Sequence, residues 1–402
     1  MLFQTLDDKS ECVGIYCDGQ LIFDLVDFPE QISRTWKYSS YLRDIEDIEY
    51  ASLYLQGQDI QDAIPEYLKD DWEDTSDKIR AFHRSLQISK VNQFENCFFD
   101  LVPQRFLVDF CEVKNDITDY IIKNIDRPQR YDYLLKVCQM LEDISNRRLN
   151  INLKKLKSYP ENNILKDIST GSRFITYNQF GTKTGRLSTA KKSFPILTLK
   201  KDYRSIIEPV NDRFLEIDFN GAEARVLLGL LGKQQPDQDV HNFHRDEVFS
   251  GSLTREQSKT SFFAWLYGAK SINNSKEGDV LKSFYDKENV VNQFWDGTTV
   301  TTSLGKVIND VDRHHALNYI VQSTTAELTL LQALKVDYLL RTRAKKSFIS
   351  CIIHDSVVID LSDEDSHLVP SIKALMSSTK FGVFKINTSM GNSLGNLKHY
   401  EE

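Results

Sequence analysis

Two aspartates sit where apolar, β-branched runs give out. Asp218 stands near the end of FLEIDF (214–219), and Asp355 at the bend of SFISCII-HD-SVVIDL (347–361). If folding brings them together, like charges at close range raise one pKa, and divalent cations remove that repulsion. Two aspartates are hard oxygen ligands suited to Mg²⁺, which keeps waters and also takes substrate phosphates. A pair of such ions roughly 3.5–4 Å apart can activate an attacking oxygen and stabilise a leaving one. Either aspartate alone reads as a turn or cap residue. Phosphoryl transfer also needs a grip on phosphate, and TREQSKTSFFAWLYGA (254–269) offers one. Arg255, Lys259, Phe263 and Tyr267 recur every four positions, so on a helix they form one slanting stripe. Its cationic half suits phosphate oxygens where negative charge develops. Its aromatic half suits a sugar or a base. A third acid, Glu223, lies five residues after Asp218, where a helix begins; an acid there is also favoured by the helix dipole alone.

Several elements must position these residues. FLEIDF is expected as a strand and GAEARVLLGLLG (221–232) as a helix ending at Gly232. The motif helix is expected to start from Thr254 as N-cap and stop at Gly268. ALNYIVQSTTAELTLLQALKVDYLL (316–340) is expected as a long helix apolar on one side. The two runs meeting at His354-Asp355 form an antiparallel hairpin. Upstream, ECVGIY-CDG-QLIFDL reads as a hairpin turning at Asp18-Gly19, and Leu134, Val137, Leu141 and Ile144 predict an amphipathic helix over roughly 129–148. Helices mixed with antiparallel strands give an α+β class.

Charge is unevenly spread. The chain of 402 residues carries a net −8, but residues 1–100 hold 21 acids against 9 bases, leaving 41 bases and 37 acids in 101–402. The second region can therefore face a polyanion. Its strongest local excess is Lys183, Arg186, Lys191, Lys192, Lys200, Lys201 and Arg204 against Asp202, a strip fit to face phosphates. Six cysteines form no CxxC pair and no zinc-like cluster, which suits reduced thiols. No apolar run approaches membrane-spanning length and no signal segment opens the chain, so a soluble, cytoplasmic protein with no membrane partner is expected. The acidic run DIEDIE (44–49) and Tyr67-x3-Asp71 have the spacing of nuclease motifs but read as solvated faces.

Taken together, TGRLS (184–188), DFNGAEARVL (218–227), REQSKTSFFAWLYG (255–268), NYIVQSTTAEL (318–328) and IIHDS (352–356) resemble the family A DNA polymerases, relatives of bacterial DNA polymerase I and of phage replicative enzymes. The resemblance covers about residues 180–400. It implies a right-hand fold with an antiparallel palm sheet and helical fingers, and a division into an acidic N-terminal region at 1–125 and a polymerase domain at 126–402. It implies that Asp218, Asp355 and the backbone carbonyl of Phe219 hold two Mg²⁺ ions, with Mn²⁺ able to stand in. Arg255 and Lys259 would bind the dNTP triphosphate, with Lys259 also protonating pyrophosphate, and His241 would contact phosphate. Glu223 would exclude a ribose 2′-hydroxyl, with Phe263 near the sugar and Tyr267 near the new base pair. Arg186, Asn318, Gln322 and His354 would contact primer-template DNA.

The pattern departs from the family in three places. Ser356 stands where the family's motif usually carries a second acid, as it also does in phage RNA polymerases, whose first motif lacks a match to Glu223. Only 28 positions separate Leu156 from Thr184, too few for two long helices, so a vestigial thumb is expected, with grip supplied either by a partner protein such as a processivity factor or by residues 1–130. No convincing proofreading motif is present, which leaves a separate exonuclease to supply that activity. The expected function is primer-dependent DNA synthesis in phage replication. An RNA-synthesising polymerase or primase and a non-catalytic DNA-binding replication subunit remain open alternatives.

Overall fold

The computed structural model describes residues 1–400 apart from 10, 25–30, 93–94, 160–167 and 169–171. Eleven residues of the Leu156–Thr184 stretch in which the vestigial thumb was expected, including Pro160, therefore lie outside the described residues. The chain divides into two compact units, Met1–Asn146 and Arg147–Glu402.

The first unit opens with an antiparallel sheet of β1 (Phe3–Asp8), β2 (Glu11–Cys17) and β3 (Gln20–Ile22). Asp18 and Gly19 turn the expected hairpin, both at positive φ, as a two-residue loop between right-twisted strands requires. Helices α1 (Glu66–Ile88), α2 (Gln104–Asn124) and α3 (Tyr131–Ser145) follow. Trp72 stacks on Phe110, and Phe82 packs on Phe106, between α1 and α2. The division expected after residue 125 falls instead after Asn146. The reason is that α3 buries Val137, Met140 and Ile144 within the first unit, and the Tyr131 hydroxyl accepts a hydrogen bond of 2.7 Å from the Tyr50 amide. Asp44 and Glu46 of the DIEDIE run are exposed outside any strand, and Tyr67 and Asp71 lie exposed on α1.

The second unit is built on a five-stranded antiparallel sheet made by β4 (Arg213–Phe219), β5 (Phe348–Ile353), β6 (Ser356–Leu361), β7 (Ile386–Gly391) and β8 (Lys398–His399), in the order β5-β6-β4-β7-β8. Alternation along β4 divides the two faces. Leu215, Ile217 and Phe219 are fully buried, each contributing about 1.5–3 kcal/mol of apolar burial. Glu216 and Asp218 point the other way and stay partly open.

Helix α4 (Ala222–Leu230) leaves β4 through Gly221, whose φ is +66°. A Cβ there would lie 2.3 Å from Val240 Cγ1, so only glycine fits. Helix α5 (Arg255–Leu266) begins with a capping box between Thr254 and Gln257. It ends in a Schellman arrangement in which Ala269 N–H reaches the Ala264 carbonyl, with Gly268 at φ +76°. One side of α5 buries Phe262, Trp265 and Leu266 against Leu227, Leu228 and Tyr285, which turns the Arg255–Tyr267 stripe outward. Short helices occupy 270–294.

The long helix α6 (Arg313–Arg343) is not apolar on one side only, as the sequence suggested; Ser323 to Leu330 are all buried. Its polar residues tolerate this because Thr324, Thr325 and Thr329 donate back to carbonyls one turn earlier, at 2.7, 2.8 and 3.0 Å. Helix α7 (Val369–Ser377) packs with β4 and β7, while α6 packs with β5 and β6. No described helix is long and apolar enough to cross a membrane.

Candidate active site

The sheet register brings the two aspartates together. Asp218 is directly opposite Ser356 on β6 and Asn387 on β7, and Asp355 sits at the bend immediately before Ser356. The two-residue loop places His354 at φ +56°, a conformation uncommon for a side chain with a Cβ and typical of strained functional turns. His354 is exposed at this tip, beside the half-buried Asp355. Burial and then the charge of Asp355 push the Asp218 carboxyl up to about 7. Asp355 is likewise raised, chiefly by burial. The Lys259 ammonium opposes both shifts, and Asn387 Nδ2 donates weakly to Asp218 at 3.4 Å. A carboxylate pair held above its ordinary range lacks positive charge. That fits a hard divalent ion which keeps most of its waters. Among the described residues no group of three or more His, Cys, Asp or Glu side chains could hold an ion, so waters or a substrate must complete any coordination.

Beside the pair lies a closed network around Glu223, which is 6% exposed. Arg186 donates to one carboxylate oxygen, and the Tyr267 hydroxyl donates to the other at 2.6 Å. Burial raises the Glu223 pKa while these two partners lower it. Tyr267, hydrogen-bonded to Glu223 and Gln322, is pushed up to about 12, first by burial. Its ring stacks on Phe263 at 6.0 Å. Helix α5, helix α6 and the 184–188 loop thus converge on the acid that opens α4. Helix capping does not account for this, because neither oxygen of Glu223 is spent on its own helix.

The cationic half of the stripe holds a partner the sequence did not reveal. Arg255 forks onto Asp239, Nε to Oδ1 at 3.0 Å and Nη2 to Oδ2 at 2.7 Å. This and other hydrogen bonds hold the Asp239 carboxyl well below the usual range, against the effect of its burial. The same carboxylate caps the short helical turn Val240–Phe243 and accepts from Asn220 Nδ2 at 2.8 Å. Lys259 has no ion-pair partner among the described residues. His241, expected to meet phosphate, is 3% exposed, packed near Phe262 and Phe263, and held down to about 4 by burial. It is neutral near pH 7 and carries no charge to offer an anion.

The remaining expected residues lie on three further segments. Phe219 turns its ring to the covered side, edge-on to Phe384. Asn318 and Gln322 lie one turn apart on α6, and the Asn318 Oδ1 is buried without a partner among the described residues. Lys183, Lys191, Lys192, Lys200 and Lys201 are all exposed, on a segment anchored by the buried Phe194, Ile196 and Leu199. Three residues were missed. Glu216 could have been found from its i, i+2 spacing to Asp218. Asp239 carried only a capping signal, and Asn387 carried none.

No family model matches the chain. It is 22% identical over 249 residues to DNA polymerase I of Caldicellulosiruptor bescii, covering 51% of this chain and 29% of that one. It is 22% identical over 276 residues to DNA polymerase I of Aquifex aeolicus, covering 59% and 48%. The chain thus spans less than half the length of these curated relatives. Among solved structures it matches the POL domain of Pol1 from M. smegmatis, in complex with DNA primer-template and dNTP, with a TM-score of 0.60 at 14% identity, over 72% of this chain and 76% of that one. The fold is similar to that polymerase domain.

Proposed function

We propose that the chain is a template-directed DNA polymerase that adds dNTPs to a primer 3′-hydroxyl. The observation that carries this reading is the facing of Asp218 and Asp355 by Lys259, beside a Glu223 locked between Arg186 and Tyr267. The sheet would be the palm and α5 the core of the fingers. Asp218 and Asp355, with the Phe219 carbonyl, would hold Mg²⁺, which when bound polarises phosphate and lowers the pKa of the primer hydroxyl. Arg255 leaves Asp239 to fork onto the triphosphate. Lys259 neutralises charge developing on the leaving pyrophosphate and gives its Nζ proton to it. Glu223 closes the space a 2′-hydroxyl would need, and Phe263 supports the sugar. Gln322, Asn318, Arg186 and His354 line the primer side. The neutral His241 is left to hydrogen-bond rather than to attract phosphate.

With only 28 positions between Leu156 and Thr184, grip on duplex DNA would fall to a partner protein or to residues 1–130, as suits a phage replication enzyme. The test is extension of a labelled primer with dNTPs and NTPs offered separately. Extension with dNTPs, abolished by Asp218→Ala and by Asp355→Asn, is expected. Efficient NTP use by the unaltered chain would replace this reading with RNA synthesis, and DNA binding without extension would reduce the chain to a binding subunit.

A further inference from the structure

The open face of the sheet carries a third carboxylate that the mechanism above does not use. Glu216 precedes Asp218 on the same face, two residues back along β4, which is about 7 Å of strand. Directly across from it are Val358 and Ser389, which offer it no charge. Instead it reaches diagonally to Ser356, the residue opposite Asp218, whose hydroxyl donates to Glu216 Oε1 at 3.1 Å. Diagonal neighbours in an antiparallel pair are within reach of a long side chain. Glu216 is half-buried, and among the described residues it has no ion pair. Its charge adds to the repulsion on Asp218. A partly buried anion set beside two others destabilises a fold unless a cation compensates.

Resting on the polymerase reading, we propose that Glu216 supplies, from the neighbouring strand, the negative charge that Ser356 cannot, and that it acts as an outer carboxylate of the ion site. Ser356 is then its anchor: a hydroxyl that holds Glu216 toward the aspartate pair. Since Glu216 does not complete a three-residue ligand group with the pair, its role is to accept hydrogen bonds from water carried by an ion, as Mg²⁺ sites with few protein ligands allow. It is a positioning residue for the ion, acting through that water.

The test is calorimetric titration of Mn²⁺ into the full chain, with the Mg²⁺ half-saturation of primer extension as a second readout. Glu216→Gln keeps the acceptor for Ser356 and removes only the charge. It is expected to weaken Mn²⁺ binding about tenfold and to raise the Mg²⁺ requirement in parallel, the usual scale for an outer-shell carboxylate. Ser356→Ala releases the anchor and should weaken binding about threefold through Glu216 alone, so it should have no further effect in Glu216→Gln. Ser356→Glu placed on Glu216→Gln should restore affinity. Unchanged Mn²⁺ affinity in both Glu216→Gln and Ser356→Ala, while Asp218→Asn abolishes binding, overturns the proposal and leaves the polymerase reading standing. Binding and extension that survive Asp218→Asn overturn the polymerase reading itself. If Glu216→Gln does not fold, Ser356→Ala decides alone.

Discussion

At Arg255 the fork that a triphosphate would need is engaged by Asp239. Hydrogen bonds to charged groups contribute about 1.5–3 kcal/mol each, so releasing two of them sets a threshold that only a polyanion can offset. Asp239→Asn keeps a side-chain oxygen for the helical turn while removing the charge and one acceptor. We expect it to lower the apparent Kd for dNTP severalfold, read by pre-steady-state extension at varied dNTP; Arg255→Ala should raise it by at least tenfold. An unchanged Kd in Asp239→Asn would mean the fork is not what substrate displaces. On the polymerase reading, Glu223 would set a different discrimination. Its oxygens are both engaged, by Arg186 and Tyr267, so the carboxylate cannot swing aside without breaking both hydrogen bonds. Glu223→Ala should open space and raise the NTP-to-dNTP ratio of kcat/KM by about 10–200-fold, the range that a small change of pocket volume commands. A ratio that does not move would remove Glu223 from sugar selection.

At the scale of elements, the α5 stripe and the His354-Asp355 hairpin were legible in the sequence because each depends on local period alone. The four-residue spacing fixed which side of α5 faces out, and two β-rich runs with a two-residue gap fixed the bend. The Arg255–Asp239 pair was not legible, since it joins segments 16 positions apart through a glycine turn. Nor was the buried middle of α6, where Ser and Thr look like a polar face until their hydroxyls are returned to the backbone. The same burial has a pH consequence. His244, fully buried, hydrogen-bonds the Tyr285 hydroxyl, stacks on Phe262 at 4.7 Å, and is held down to about 3 by burial; His241 is held to about 4. Unfolding lets both take a proton below about 6.5. Their stabilising contribution is therefore full above that value and lost as pH falls toward 4, by about 2 kcal/mol per histidine between pH 7 and 5. Asp218, raised to about 7, works in the opposite sense, so the clean readout is a difference. His244→Phe should be less stable than wild type at pH 7, for loss of the Tyr285 bond, and the gap in urea midpoint should shrink by pH 5. A gap that is the same at both values would show that His244 is protonated in the folded state.

The whole molecule has a pI of about 5.6, and on that figure alone it should avoid nucleic acid. Its charge is partitioned instead: the first 100 residues are strongly acidic, while the exposed lysines of 183–201 have no described ion-pair partner. An unpaired surface lysine costs little to leave in water and gains only when a polyanion releases its own counterions. Affinity for duplex DNA should therefore fall with salt despite the net −8, with a log–log slope of about −0.9 per phosphate neutralised. Lys191→Gln with Lys192→Gln should weaken binding equally across DNA sequences and make that slope shallower by about 1–2 units, because phosphate contacts position without reading bases. The check is fluorescence anisotropy on two unrelated duplexes over a salt series. If the double variant keeps the wild-type slope, these lysines do not face the backbone. If it changes affinity for one duplex only, the segment reads bases rather than phosphates.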